Sequence, residues 1–310
     1  MMRRLNLAHA AGFAFILAVL FSGLDIRAQG PGVRFRAGVD VVLLNVTVTD
    51  GARRYVTDLD LGDFTVLEEG RPQNITFFRK ADVRLALALL IDSSASMDEA
   101  LPIAQEAAAG FVRQLGPADV ATVIDFDSRV QILAPFTDDK TALDDAIRNT
   151  VAAGSTSMYN AVYIALRELG KIRLNDEQEV PRRRAIVLLS DGEDTSSLVT
   201  FDEVLDVAQR SDSVIYAIGL GIEASAARRS GDPSFVLTRL AQQTGGRAFF
   251  PSLAKDLTGV YADIRDELSS QYLLAYVSSN ERTGRWRNVN VRVNRPGLTV
   301  RTKQGYFAGS

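Results

Sequence analysis

The chain has 310 residues, 46% of them hydrophobic and 24% charged, and a formal net charge of −3. This composition is typical of a folded protein with room for one large domain or two ordinary ones, and it excludes an intrinsically disordered chain. Because Lys and Arg form no concentrated stripe, a nucleic acid partner is not expected.

The first 28 residues are predicted to be a secretory signal peptide. Two arginines precede an uncharged apolar run of 15 residues at 10–24, and Ala28 is a small residue at the expected cleavage site. A membrane span needs about 20 apolar residues, so this run is short for a span. An uncleaved N-terminal anchor is the alternative interpretation. No later segment is apolar enough to cross a bilayer. We therefore expect an exported protein, periplasmic or secreted, whose mature chain has a net charge of −5.

The residue types that are missing narrow the chemistry. The chain has no cysteine, and its single histidine is His9, inside the predicted signal peptide. Nucleophilic catalysis by a Ser-His-Asp or Cys-His set, and zinc sites built from His and Cys, are thereby excluded for the mature chain. Any bound metal must be held by oxygen atoms, which suits Mg²⁺, Mn²⁺ or Ca²⁺.

Residues 29–80 are predicted to be an N-terminal β segment. A run rich in β-branched residues at 39–49 precedes the turn signal Asp50-Gly51, and shorter strands follow at 64–68 and 74–79. No helical period appears there. The segment is therefore expected to be a small antiparallel unit.

Residues 81–270 alternate between apolar strands and segments with helical spacing. The predicted strands are 83–91, 120–126, 130–133, 185–189, 214–218 and 248–250. The predicted helices are 101–115, 140–150, 158–169, 201–210, 234–243 and 253–268. Strands that are apolar on both faces and alternate with helices predict an α/β fold with a doubly wound, mostly parallel sheet.

Residues 271–310 are β-like again, with strands predicted at 272–277, 286–293 and 298–303. Since β segments flank the α/β region on both sides, we expect this C-terminal segment to pair with residues 29–80. The α/β domain would then be inserted into a small β-sandwich.

Small oxygen-bearing side chains lie on three separate loops that are expected at the same edge of the predicted sheet. Asp92, Ser94 and Ser96 come directly after strand 83–91, Thr156 precedes the helix at 158–169, and Asp191 follows strand 185–189. In a doubly wound sheet these positions meet at the carboxyl edge, where ligands bind. Each piece alone has an ordinary explanation, as a helix N-cap or a turn, but the three in this order predict a common site.

These residues resemble the metal-ion-dependent adhesion site of the von Willebrand factor type A domain, which is written D-x-S-x-S, then T, then D. Residues 92–96 (DSSAS) match the first part, and Thr156 and Asp191 match the other two. The resemblance covers about residues 82–270. The flanking segments, such as VDVVLLNVTVTD and QYLLAY, resemble a group of exported acidobacterial proteins.

The resemblance implies a divalent cation, Mg²⁺ first with Mn²⁺ or Ca²⁺ as alternatives, held by Asp92, Ser94, Ser96, Thr156 and Asp191. In the family an open coordination position takes a Glu or Asp carboxylate from a protein partner, so binding and adhesion are implied rather than catalysis. The alternatives are a metal-dependent hydrolase, in which the metal activates water, and a structural envelope protein whose metal ties loops together.

Other polar and aromatic residues have weaker functional interpretations. Asp125 and Asp127 form a carboxylate pair, but a turn at the strand end explains them better. Tyr272, Tyr276 and Trp286 are candidates for a binding stripe, for which sandwich core is the favoured interpretation.

Overall fold

The computed structural model of the chain describes residues 41–80, 83–172, 182–191, 193–222, 232–280 and 283–309. The predicted signal peptide, residues 1–28, and residues 29–40 of the predicted N-terminal segment lie outside the described residues. Within the described ranges, no helix has both the length and the apolar character needed to cross a membrane.

A six-stranded mixed sheet forms the centre of the fold. Its strands lie in the order β10-β9-β8-β5-β6-β7, and every neighbouring pair is parallel except β6 and β7. The central strands are buried along their length because apolar side chains cover both faces. The strands are β5 (Leu85–Asp92), β6 (Val120–Phe126), β7 (Val130–Thr137), β8 (Arg183–Ser190), β9 (Ser213–Gly219) and β10 (Ala248–Phe249).

Within the described ranges six helices cover this sheet, three on each face. They are α1 (Leu101–Arg113), α2 (Lys140–Arg148), α3 (Met158–Lys171), α4 (Phe201–Arg210), α5 (Pro233–Gln243) and α6 (Leu257–Ser270). Helices α1, α2 and α6 bury their apolar sides in one core, and α3, α4 and α5 bury theirs in a second core on the opposite face. This is the layered arrangement that the alternating sequence pattern predicts.

Two four-stranded antiparallel sheets form a sandwich from both ends of the described chain. One has the order β13-β1-β11-β4 and the other β14-β12-β2-β3, and the two share a third core. Strand β1 pairs with β11, and β2 pairs with β12, so each sheet combines early and late segments of the chain. The strands are β1 (Val41–Thr49), β2 (Phe64–Glu68), β3 (Arg71–Gln73), β4 (Ile75–Arg79), β11 (Tyr272–Val277), β12 (Trp286–Val293), β13 (Thr299–Arg301) and β14 (Gly305–Phe307).

The predicted fold class is confirmed: a mostly parallel α/β sheet flanked by helices, with antiparallel sheets beside it. Three details differ from the sequence prediction. β3 and β14 were not predicted, because strands of three residues are too short to show alternation. β7 continues through Pro135 to Thr137, which is possible because β7 is an edge strand and Pro needs no ladder partner there.

Candidate metal centre

Asp92 is the last residue of β5, and its side chain is completely buried. Its Oδ1 accepts a hydrogen bond of 2.9 Å from the Ser94 backbone N–H, and its Oδ2 accepts one of 2.5 Å from the Ser190 hydroxyl. A buried carboxylate needs such partners to offset its desolvation. Each oxygen keeps further lone-pair capacity beyond its one hydrogen bond, so the group is oriented without being saturated.

Ser94 and Ser96 follow on a short 3-10 turn at Ala95–Met97. Their hydroxyl oxygens lie 3.1 Å apart, within hydrogen-bonding distance. Ser94 is buried and Ser96 is exposed, so the pair leads from the buried Asp92 toward solvent. Helix α1 begins at Leu101, after a turn, where the sequence predicted its start.

The loop that carries Thr156 lies directly against this first loop. The Ala153 N–H donates to the Ser93 carbonyl at 2.7 Å, and the Ala95 N–H donates to the Gly154 carbonyl at 3.1 Å. Gly154 has a φ of +67°, and a Cβ there would lie 2.7 Å from the Ser128 hydroxyl oxygen. The positive φ therefore favours glycine here, on the loop that brings the buried Thr156 to the same edge of the sheet.

The third loop begins with Asp191, directly after β8, and Asp191 is half-buried. The N–H groups of Thr195 and Ser196 donate to the Thr156 carbonyl at 2.9 and 3.0 Å. Further along, the Asp194 carboxylate accepts a hydrogen bond of 3.0 Å from the Tyr159 N–H at the start of α3. All three loops are thus joined by backbone hydrogen bonds at the carboxyl edge.

The electrostatics of this edge are dominated by buried negative charge. Burial, and to a smaller extent the neighbouring charge of Asp191, raises the pKa of Asp92 to about 6 against the hydrogen bonds that favour its ionised form. No Lys or Arg among the described residues forms an ion pair with Asp92 or Asp191. The edge therefore has unbalanced negative charge that a cation would neutralise.

The five predicted ligands stand as follows. Ser94 and Ser96 lie side by side, and Asp92 and Asp191 are close enough for their charges to interact. Thr156 lies on the loop that is hydrogen-bonded to both others. Within the described residues no group of three or more His, Cys, Asp or Glu side chains converges on a metal position, so a cation here would need the hydroxyls as well as the two carboxylates. That donor set suits a hard cation, and the ligand assignment stays a prediction.

Several residues that shape this edge were not identified from the sequence. Ser190, the last residue of β8, donates a hydrogen bond to Asp92, and it was not among the predicted site residues. Asp194 accepts from the Tyr159 N–H and so anchors the start of α3. Asp127 does form a turn, accepting from the Arg129 N–H at 2.7 Å.

Asp125 instead lies buried in β6, where its Oδ1 has no hydrogen-bond partner among the described residues. Burial, together with the charge of Asp127, raises the pKa of Asp125. The sequence signal that could have predicted this burial is the position of the carboxylate inside an apolar strand (VATVIDF).

Comparison with known families identifies the central region. The family model described as von Willebrand factor type A domain matches residues 87–193. This range contains all five predicted ligands. No curated protein matches the sequence. The predicted similarity of the flanking segments to exported acidobacterial proteins stays a prediction.

Solved structures share the fold at low sequence identity. A von Willebrand factor type A protein from Catenulispora acidiphila is 12% identical, with a TM-score of 0.51 over 88% of this chain and 75% of that one. Proximal thread matrix protein 1 from the mussel byssus is 16% identical, with a TM-score of 0.52 over 65% of this chain and 51% of that one. This chain therefore spans about half of the mussel protein. A second structure of the mussel protein, with a TM-score of 0.49 and 17% identity, has zinc in its metal-ion-dependent adhesion site (MIDAS) motif.

Proposed function

This chain contains a von Willebrand factor type A domain, and on that premise we propose that it is an exported binding module that uses a divalent cation to hold an acidic group of a protein partner. The cation would be bound by the oxygens of a set of five residues: Asp92, Ser94, Ser96, Thr156 and Asp191.

The observation that carries this proposal is the uncompensated pair of carboxylates at the carboxyl edge. Asp92 is fully buried, Asp191 lies beside it, and no basic side chain of the described chain neutralises either. Elsewhere a buried charge is paired or coordinates a metal, because an isolated one is strongly disfavoured. Oriented carboxylate and hydroxyl oxygens favour Mg²⁺, with Mn²⁺ or Ca²⁺ as alternatives.

The surface around the site supports a protein partner. The loops that carry the predicted ligands also expose two large apolar side chains, Val151 at 73% and Leu198 at 93% of their surface. Exposed apolar groups beside a polar centre are a feature of protein interaction sites. The chain is itself net negative, so a cation between the two surfaces would be needed to attract an acidic group. A partner carboxylate flanked by apolar side chains fits this surface.

Binding rather than catalysis is part of the proposal. Beyond His9 the sequence has no histidine, and it has no cysteine, so neither imidazole nor thiolate can act as general base or nucleophile beside the cation. The hydrolase alternative is tested by incubating the Mg²⁺-loaded protein with ester and phosphodiester substrates. If wild type turns over a substrate and Asp191→Ala does not, metal-dependent hydrolysis would replace binding as the proposed function.

The cation is tested by calorimetric titration of Mg²⁺ and Mn²⁺ into wild type, Asp191→Ala and Asp263→Ala. Asp263 is an exposed carboxylate on α6 and serves as the matched control. We expect wild type and Asp263→Ala to bind alike and Asp191→Ala to bind at least about tenfold more weakly, because a charged ligand is removed. Equal uptake by all three proteins would contradict the site.

The acidic partner is tested by capture from an envelope extract on immobilised wild type, Asp191→Ala and Leu198→Ser. Capture should require Mg²⁺, disappear in Asp191→Ala and weaken in Leu198→Ser. Converting the carboxylates of the extract to neutral amides beforehand should abolish it. Capture that is indifferent to chelator or to this amidation would contradict recognition of an acidic group through the cation.

Export to the periplasm or the medium is proposed from the predicted signal peptide alone. The intact mass of the protein recovered from its host is the measurement. A chain beginning near Gln29 is expected, whereas a retained leader in a membrane fraction would favour the uncleaved anchor.

A further inference from the structure

A polar cavity lies at the opposite end of the α/β domain from the candidate metal centre. It has a volume of about 380 Å³ and opens between the C-terminal ends of α4 and α5 and the strands β12 and β14. Helices that cross between parallel strands run against them, so these helix ends lie at the amino edge of the sheet. The lining residues are Gln209, Arg239, Gln243, Trp286, Asn288, Gln304 and Phe307.

Three glutamines form a hydrogen-bonded chain along one wall of this cavity. The Gln209 Nε2 donates to the Gln243 Oε1 at 2.8 Å, and the Gln243 Nε2 donates to the Gln304 Oε1 at 3.1 Å. Gln243 is buried, so its amide orientation is determined by these two bonds. The outer amides are oriented in turn: Gln209 presents its Oε1 as an acceptor, and Gln304 presents its Nε2 as a donor.

An aromatic wall faces the same space. Trp286 donates from its indole N–H to the Asn288 Oδ1 at 3.0 Å, which leaves the Asn288 Nδ2 as a further donor. The Trp286 and Phe307 rings meet edge to face with centroids 5.3 Å apart, and the Arg210 guanidinium lies 4.0 Å from the Phe307 centroid. The sequence interpretation placed Trp286 in the sandwich core with Tyr272 and Tyr276; those two are buried there, whereas Trp286 remains partly exposed in the cavity.

Arg239 supplies a positive charge to the cavity. Its side chain is exposed on α5, and no carboxylate of the described residues forms an ion pair with it. Arg210 differs, because Asp206 neutralises it at 2.8 Å. Arg239 is therefore the group that would meet a negative charge on a ligand.

We propose that this cavity binds a carboxylated saccharide, such as a uronic acid residue of a glycan. A sugar ring presents C–H groups that lie against an aromatic face and hydroxyls that match oriented amide donors and acceptors. The wall offers one amide acceptor and two amide donors beside the tryptophan, and Arg239 adds the partner for a carboxylate. The volume is within the range of small-molecule sites, about 300–1,000 Å³.

The test uses the intrinsic fluorescence of Trp286, which is the single tryptophan of the chain. D-Glucuronate, D-glucose and acetate are titrated separately into the full chain in the presence of chelator, so that the candidate metal centre does not contribute. We expect a saturable fluorescence change with glucuronate, a weaker one with glucose and none with acetate. Saturation-transfer NMR on glucuronate gives a second readout that does not depend on fluorescence.

The variants are Arg239→Gln and, as the matched control, Arg167→Gln, in which an exposed arginine on α3 is changed. Arg239→Gln should weaken glucuronate binding about tenfold and leave glucose binding unchanged, whereas Arg167→Gln should bind as wild type does. Far-UV circular dichroism checks that both variants fold.

Three results would overturn the proposal. One is the absence of saturation transfer and of a fluorescence change with glucuronate in wild type. Another is equal glucuronate binding by wild type and Arg239→Gln. The third is displacement of glucuronate by acetate at equal concentration, which would make the cavity a simple anion site. Because chelator is present throughout, none of these outcomes bears on the cation at the other edge.

Discussion

Two carboxylates, Asp92 and Glu267, are both completely buried, but at different ends of the molecule and with different partners. Glu267 lies where α6 meets the sandwich, and there it accepts from the Tyr216 hydroxyl at 2.7 Å and forms an ion pair of 2.5 Å with Arg301. Asp92 at the carboxyl edge has neutral donors only and an acidic neighbour. The two carboxylates are thus equally buried, but the charge of Glu267 is balanced by Arg301, whereas the charge of Asp92 is not balanced by any basic side chain of the described residues.

The balanced end joins the two layers of the fold. Gln271, between α6 and β11, donates to the Thr47 hydroxyl of β1 at 3.2 Å and to Tyr216 of β9 at 2.9 Å. Lys303 reaches Asp212 at 3.0 Å across the same junction. Charges that are satisfied within the chain stabilise one arrangement, whereas those at the carboxyl edge remain available to a ligand. The predictions below test this contrast.

The largest effect is expected at the balanced end. Glu267→Ala leaves Arg301 and the Tyr216 hydroxyl without their buried partner, and it should lower the free energy of unfolding by about 3 kcal/mol. Glu267→Gln, which keeps a hydrogen-bond acceptor, should cost about 1 kcal/mol. Urea unfolding measures both, and Mg²⁺ affinity should not change in either. A Glu267→Ala protein as stable as wild type would show that the pairing does not stabilise this junction.

The opposite sign is expected at the carboxyl edge. Asp92→Asn removes a buried ionised group while keeping an oxygen that can accept from Ser94, so in chelator at neutral pH it should raise the free energy of unfolding by about 2 kcal/mol. The same variant should lose Mg²⁺ binding. Thermal unfolding with and without Mg²⁺ gives both quantities. If Asp92→Asn is less stable than wild type in chelator, the negative charge there is balanced within the chain and the contrast fails.

The smallest effect concerns how the edge is assembled. Gly154→Ala places a Cβ at a φ of +67° and 2.7 Å from the Ser128 hydroxyl oxygen, which should cost about 1 kcal/mol. Because Gly154 joins the loop of Thr156 to that of Asp92, Mg²⁺ affinity should fall several-fold. The control is Gly51→Ala, where a Cβ meets nothing within 4 Å. Equal Mg²⁺ affinities for the two variants would show that the conformation of the Gly154 loop does not affect cation binding.

Much of the fold could be read from the sequence because its signals are local. Strands such as β6 and helices such as α4 have the bounds that apolar spacing and turn residues predicted. Two of the loops at the carboxyl edge, those of Asp92 and Asp191, followed from a general property of parallel sheets, which place the ends of their strands together. The loop of Thr156 connects α2 to α3, and its hydrogen bonds to the other two loops are visible only in the structure. The order of strands within the sandwich has no such local signal, because β1 and β11 are paired across more than 200 residues.

The sequence by itself therefore determined the α/β layers and the flanking β segments, and it predicted a set of oxygen ligands for a cation. Only the tertiary structure decided which charges are balanced. Glu267 and Arg301 meet through the docking of the sandwich on α6, and the amides of Gln209, Gln243 and Gln304 meet through contacts between distant elements. Charge balance and hydrogen-bond orientation depend on distances between groups that are remote in the chain, and residue spacing carries no information about those distances.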